Sequence, residues 1–156
     1  MIEEKLNSLG IRLMPSIKPV GAYVPALKVG NLLFLSGILP FRDGKLSKKG
    51  KVGRDLSIEE AQEEAFQVVI NALSVVKDFT GSLDRIERCV KLTGYIACVE
   101  NFTDHPKVLN HASELLIKLF GENGKHCRVA VGVNSLPLDA SVEMDFIFEV
   151  EKDKKS

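Results

Sequence analysis

The sequence predicts an α+β domain, a mixed β-sheet with two helices on one of its faces, in the order β-β-α-β-α-β-β. Three observations predict it. Two stretches carry apolar residues at helical spacing, each with start and stop signals. The C-terminal third holds two segments in which apolar and polar or small residues alternate. Near the N-terminus, Gly30-Asn31 separates two apolar runs in the manner of a hairpin. The chain has 156 residues, which is one domain at roughly 100–200 residues each, spanning 1–156. Residues 1–19 read as an N-terminal extension, and 151–156 as a charged tail expected to fray.

The elements follow in order. Residues 2–9 place Ile2, Leu6 and Leu9 at helical spacing ahead of Gly10, a short helix or turn. Pro15 and Pro19 make residues 11–21 an extended arm. Residues 22–29 read as a strand, with Pro25 pointing to an edge or bulge, and Leu32 to Gly37 as its hairpin partner. Residues 40–56 are polar and rich in Gly and Lys, hence a long loop. Ser57-Ile-Glu-Glu60 is a capping box, opening an apolar stripe from Ala61 through Val76 to about Asp78. Residues 86–98 are β-branched enough for a strand. Pro106 suits a first helical position and Gly121 a C-cap, with Val108, Ala112, Leu115, Leu116 and Leu119 between them. Two helices cover one sheet face only. The run Leu32–Leu35 is apolar on both faces, so the second face is expected to meet another subunit.

Composition excludes several functions. Lys and Arg number 21 and Asp and Glu 21, so the net charge is zero, which argues against a general nucleic-acid binder. No apolar run approaches the ~20 residues of a membrane span. The charged start, Met1-Ile-Glu-Glu-Lys-Leu, has no signal-peptide run. The expectation is a cytoplasmic protein with no membrane partner. Cys89, Cys98 and Cys127 are odd in number and widely spaced, which reads as free buried thiols. His105, His111 and His126 lack metal-ligand spacing, so no metal is expected. Gly121-Glu-Asn-Gly124-Lys125 has the wrong spacing for a phosphate loop and reads as a helix-to-strand turn; no Gly-x-Ser-x-Gly elbow is present.

The residues that carry chemistry lie in the alternating segments. Val129, Val131 and Val133 alternate with Arg128, Ala130 and Gly132; Val142, Met144, Phe146, Phe148 and Val150 alternate with Glu143, Asp145 and Glu149. Paired as an antiparallel hairpin with the valines in the core, they set Val129 opposite Val142. Arg128 then lies opposite Glu143 on the face away from the helices. Two readings fit. One is a cross-strand ion pair of about 0.2–1 kcal/mol. The other is an anion site in which Arg128 clamps a carboxylate and Glu143 acts as base or positions water.

Arg128-Val-Ala-Val-Gly-Val-Asn-Ser-Leu-Pro137, followed by Val142-Glu143, resembles the C-terminal signature of the Rid (YjgF/YER057c/UK114) family of reactive-intermediate deaminases. Val20-Gly-Ala-Tyr23-Val resembles the family's N-terminal Gly-x-Tyr segment, Asn31 to Pro40 its second strand and Ser-Gly loop, and Val108-Leu-Asn110 its Val-Asn at the second helix. The resemblance implies a chorismate-mutase-like fold, a homotrimer with sites at subunit interfaces, and no cofactor. It implies hydrolysis of 2-imino acids and their enamines, such as 2-aminoacrylate, to 2-oxo acids and ammonia. Arg128 would hold the substrate carboxylate and Glu143 would activate water. Tyr23, Asn110 and the backbone around Ser36, Gly37 and Ala130 would line the pocket. Ala130 stands where the family's deaminases carry a cysteine, and Gly132 where a larger side chain is common. The chain also resembles a longer branch of the family, described as translation-inhibitor or ribonuclease-like. Two other functions fit the sequence: a non-catalytic trimer that binds small carboxylates, and an RNA-acting protein using Lys45, Lys48, Lys49, Lys51 and Arg54. Neutral charge and the lack of an aromatic platform make nucleic acid the weaker expectation.

Overall fold

The computed structural model describes residues 1–19 and 21–153. Val20 and residues 154–156, half of the expected frayed tail, lie outside the described residues. The elements are α1 (Ile2–Ser8), β1 (Ala26–Val29), β2 (Leu32–Leu35), α2 (Ile58–Thr80), β3 (Ile86–Ala97), α3 (His105–Phe120), β4 (Cys127–Val133) and β5 (Val142–Val150). The strands form one five-stranded mixed sheet in the order β1-β2-β5-β3-β4. Only β3 and β4 run parallel; every other neighbouring pair is antiparallel. This is the α+β architecture the sequence predicts, with α1 as a third, short helix.

Local chemistry places the helix ends. The Ser57 hydroxyl accepts from the Glu60 N–H, and the Glu60 carboxylate accepts from the Ser57 N–H, both at 3.1 Å. At its other end α2 runs two residues past Asp78, to Gly81 at φ +86°, where glycine closes the helix without steric cost. The stripe from Ala61 to Val76 is buried on the sheet, as are Val108, Leu109, Ala112, Leu116 and Leu119 of α3. Facing them from the sheet are Leu33, Leu92, Ile96, Val142, Met144, Phe146 and Phe148. β1 starts four residues later than expected. Pro25 has no N–H to give the ladder, and its carbonyl takes the Ser36 N–H instead, at 3.0 Å.

The expected loop at 40–56 is pinned at several points. The Val52 N–H donates to the Ala97 carbonyl at 2.8 Å, and Val52 and Leu56 are buried. Glu64, wholly buried on α2, accepts from Arg42 at 2.9 and 3.0 Å. Burial pushes the Glu64 carboxyl above its ordinary pKa, and Arg42 pulls it part of the way back.

The C-terminal hairpin is corrected by the structure. β4 and β5 are not neighbours, because β3 lies between them. Leu92 lies opposite Arg128, and Tyr95 opposite Glu143. The faces differ as well. Leu92, Gly94 and Ile96, paired with Arg128, Ala130 and Gly132, face the helices. Val129 and Val131 face the open side and are 41% and 39% exposed. Alternation by size predicts valines inward, but the small residues face inward because α3 approaches closely. A Cβ on Gly132 would lie 2.6 Å from His105 and 2.8 Å from Cys98, and one on Gly94 would lie 2.4 Å from Leu109. The expectation of three buried thiols holds for Cys89, whose pKa burial pushes up to about 12; Cys98 is half-buried and Cys127 exposed.

Two stability predictions follow from this packing. Gly124, after α3, would set a Cβ 2.2 Å from the Leu116 carbonyl oxygen. Because backbone must move, Gly124→Ala is expected to lower the free energy of unfolding by about 1–3 kcal/mol in urea titration. Arg42→Ala leaves the buried Glu64 carboxylate without its counter-charge. It is expected to cost about 1–3 kcal/mol near neutral pH. Its folded-state pKa rises further, so the loss shrinks as pH falls through that pKa and the carboxyl becomes neutral. Equal losses at neutral and mildly acid pH would contradict this.

Candidate functional site

The residues singled out in the sequence fall into two groups on different faces of the sheet. The first lies at the free edge of β4, on the helix side. Arg128 extends toward α3, where its Nη1 donates to Asn110 Oδ1 at 3.0 Å and Ser113 Oγ at 3.1 Å. Asn110 and Ser113 are three residues apart on α3 and so share a face. Ala130 lies next along the same side of the strand, partly buried against the core. Among the described residues Arg128 forms no ion pair. Its Nε and Nη2, one bidentate edge of the guanidinium, have no hydrogen-bond partner among the described residues.

The second group lies at the other end of the sheet, where β2 meets β5. Glu143 is on the open face, beside Tyr95 of β3. Gly37 follows β2 and packs on the Glu143 carboxylate; a Cβ there would lie 3.0 Å from the carboxyl carbon. Ser36 is turned away from the acid, its hydroxyl donating to the Val24 carbonyl at 2.6 Å. Tyr23 is more than half exposed. Together Tyr23, Ser36, Gly37 and Glu143 line a cleft of about 890 Å³, walled also by the arm at residues 12–19, Leu39, Phe41 and Leu138. This lies in the upper part of the ~300–1,000 Å³ range of small-molecule sites. Leu138 sits in that wall at φ +58°, ψ +20°, a strained conformation for a branched side chain.

The electrostatics of the two groups differ. Glu143 is half-buried, with no hydrogen bond or ion pair among the described residues. Desolvation pushes its carboxyl above the ordinary range, and the charge of Asp145 two residues on adds to the shift. Asp145 itself accepts from the Tyr95 hydroxyl at 3.0 Å. A half-buried, unpaired carboxylate beside an open cleft is chemically suited to take a proton from water.

Arg128 and Glu143 therefore do not meet within one chain, either as an ion pair or as one site. Ser113, which no sequence motif marks, and His126, which the sequence offers only as a metal ligand, complete the surroundings of Arg128. His126 was legible in principle: it lies two residues before Arg128, and extended chain puts such residues on one side. Among the described residues no group of three or more His, Cys, Asp or Glu side chains is arranged to hold a metal, and no helix is long and apolar enough to cross a membrane. In the basic run, Lys48 pairs with Glu60 and Glu63, and Arg54 with Asp55.

Comparison with known proteins matches this geometry to a family. Residues 3–150 match the family model described as "YjgF/chorismate_mutase-like, putative endoribonuclease". Protein TCP17 of Trypanosoma cruzi is 36% identical over 150 residues, covering 96% of this chain and 94% of its own. A 2-iminobutanoate/2-iminopropanoate deaminase of Dermatophagoides farinae is 28% identical over 139 residues, covering 86% of this chain and 90% of its own. Among solved structures, one from Shewanella oneidensis MR-1 described as "a putative endoribonuclease" superposes with a TM-score of 0.93 at 31% identity, covering 96% of this chain and 99% of its own. With the fold, the C-terminal signature and the family match in agreement along nearly the whole chain, this protein belongs to the YjgF/RutC family.

Proposed function

We propose that this protein hydrolyses 2-imino acids and their enamine tautomers to 2-oxo acids and ammonia, at sites shared between neighbouring subunits of a homotrimer. The observation that carries the proposal is the division of the site. Arg128 stands at a free sheet edge on the helix side, and Glu143 stands half-buried on the open face. One chain cannot close both around a small molecule. A second copy can bring the Arg128 edge of one subunit to the Glu143 cleft of the next. The open face supports such an assembly: Leu27, Val29, Phe34, Val129 and Val131 leave 39–60% of their surfaces to solvent, an apolar face with no layer of the chain over it.

In this mechanism the free edge of the Arg128 guanidinium holds the substrate carboxylate bidentately. The imine carbon is already electrophilic. Glu143 takes a proton from water as the oxygen adds to that carbon, and the imine nitrogen gains a proton. Glu143 hands the first proton to that nitrogen, then relays the carbinolamine hydroxyl proton to it as well, so that ammonia leaves, the 2-oxo acid remains and Glu143 is again ionised; one water is consumed and no electrons are transferred. Tyr23, Ser36, Gly37, Asn110 and Ala130 supply the walls, and Ala130 contributes backbone groups where a family cysteine would otherwise stand. Glu143 must be ionised, so the elevated pKa that makes it a better base also makes it fail first as pH falls.

Three experiments test this reading. 2-Iminopropanoate is generated by an amino-acid oxidase and trapped with semicarbazide. Arg128→Ala and Glu143→Gln are each expected to abolish the loss of imine caused by the wild type. When the two variants are unfolded, mixed in equal amounts and refolded together, roughly a quarter of wild-type activity should return, because that fraction of shared interfaces receives both intact halves. No recovery in refolded material of native size would place both groups in one chain. Binding of 2-oxo acids without turnover of any imine would favour the carboxylate-binding alternative. In a pH–rate profile, the acidic limb of kcat/KM should lie above the ordinary glutamate range. Asp145→Asn should move it to lower pH, because removing that negative charge makes ionised Glu143 less costly. A wild-type limb at or below the ordinary glutamate range would count against Glu143 as the base.

A further inference from the structure

We infer that Ser113 and His126 are positioning residues that fix the Arg128 guanidinium for a carboxylate, an inference that rests on the carboxylate-holding role proposed for Arg128. Three observations carry it. His126 Nδ1 lies 2.6 Å from the Gly124 carbonyl oxygen, and its Nε2 lies 2.9 Å from Ser113 Oγ. Ser113 Oγ in turn lies 3.1 Å from Arg128 Nη1. Gly124 itself is wedged against the backbone of α3 at Leu116 and Ile117, so the carbonyl anchoring His126 cannot drift from the helix that carries Ser113.

The chemistry of these partners sets the direction of every hydrogen bond. A carbonyl oxygen only accepts, so Nδ1 of His126 carries the proton. In the neutral ring Nε2 is then an acceptor, and the Ser113 hydroxyl donates to it. That fixes the hydroxyl proton away from Arg128 and turns an oxygen lone pair toward Nη1, which can only donate. Without His126 the hydroxyl rotates freely and spends part of its time presenting a proton to a cation. With it, Ser113 is a committed acceptor. Asn110 Oδ1, one helical turn earlier, accepts from the same Nη1. Two acceptors on one nitrogen hold the guanidinium plane in place and leave Nε and Nη2 unengaged, side by side. A long, flexible arginine is thereby ordered before the ligand arrives, so less freedom is lost on binding.

The test uses Ser113→Ala, Ser113→Thr and His126→Phe in the full-length protein. Because Arg128 would hold the carboxylate equally in ground and transition states, loosening it should raise KM for 2-iminopropanoate while leaving kcat near the wild-type value. The expected rise is about five- to tenfold for Ser113→Ala, a loss of about 1 kcal/mol, because Asn110 still holds Nη1 and only part of the ordering is lost. The Kd for 2-oxobutanoate should rise in parallel, and Ser113→Thr, which keeps the hydroxyl, should restore both. A merely structural role would instead lower the melting temperature and the active fraction without moving KM. An unchanged KM and Kd in Ser113→Ala, or a threonine variant as impaired as the alanine one, would overturn the inference. Should His126→Phe fail to fold, Ser113→Ala carries the test alone. A ligand-free readout separates this inference from the deaminase reading. In NMR spectra of the Arg128 side chain, rotation of the guanidinium should be slow in the wild type and fast in Ser113→Ala. Equally fast rotation in both overturns the inference whether or not the protein hydrolyses imines.

Discussion

The close approach of α3 to the sheet is the constraint on which the rest depends. Leu109 sits where a side chain on Gly94 would stand, and His105 where one on Gly132 would stand. At the far end of the helix, Gly124 lies against the α3 backbone itself. At these points no side chain fits between helix and strand, so β4 turns its glycine and alanine inward and its valines outward. Arg128 belongs to the inward row. Its stem passes under the edge of α3, and its head emerges beside Asn110 and Ser113, whose positions on the helix are fixed by the same packing.

That arrangement leaves the opposite face of the sheet with no layer of its own. Valines of β4, Phe34 of β2 and Leu27 and Val29 of β1 remain open to water on one side, together with the polar row of Tyr95, Glu143 and Asp145. A single sheet with helices on one face is stable through its covered side alone, where Phe146 and Phe148 stack at 5.7 Å in the core. The uncovered side is free to serve association, and the proposed function uses it in that way. Dividing the site between subunits would tie activity to assembly: no isolated chain would carry both the carboxylate clamp and the base.

Two acidic residues in partly apolar surroundings show how differently one fold treats the same group. Glu64 is buried but faced by Arg42, which binds both of its oxygens and ties the 40–56 segment to α2. Burial raises both carboxyls, yet Asp145 adds to the shift at Glu143 where Arg42 opposes it at Glu64. The first is a brace. The second is an acid held above its ordinary range with no counter-charge among the described residues, a costly arrangement for stability alone.

Much of this was legible in the sequence. The capping box at Ser57, Pro106 and the two apolar stripes set the long helices to within about two residues, because caps and helical periodicity are local properties. The residues flagged for chemistry were likewise visible as types in a pattern. Strand neighbours and faces were not. Alternation says that Arg128 and Ala130 share a side, but not which side, and not which strand lies next to theirs. A valine row and a glycine–alanine row can each face a helix; the distance of that helix decides between them, and distance arises only when the layers pack. The sequence by itself determined which elements form and which residues line up along each strand. The tertiary structure alone decided that β3 would part β4 from β5, and that Arg128 and Glu143 would stand on opposite faces. Both outcomes depend on contacts between segments far apart in the chain, which no local pattern encodes.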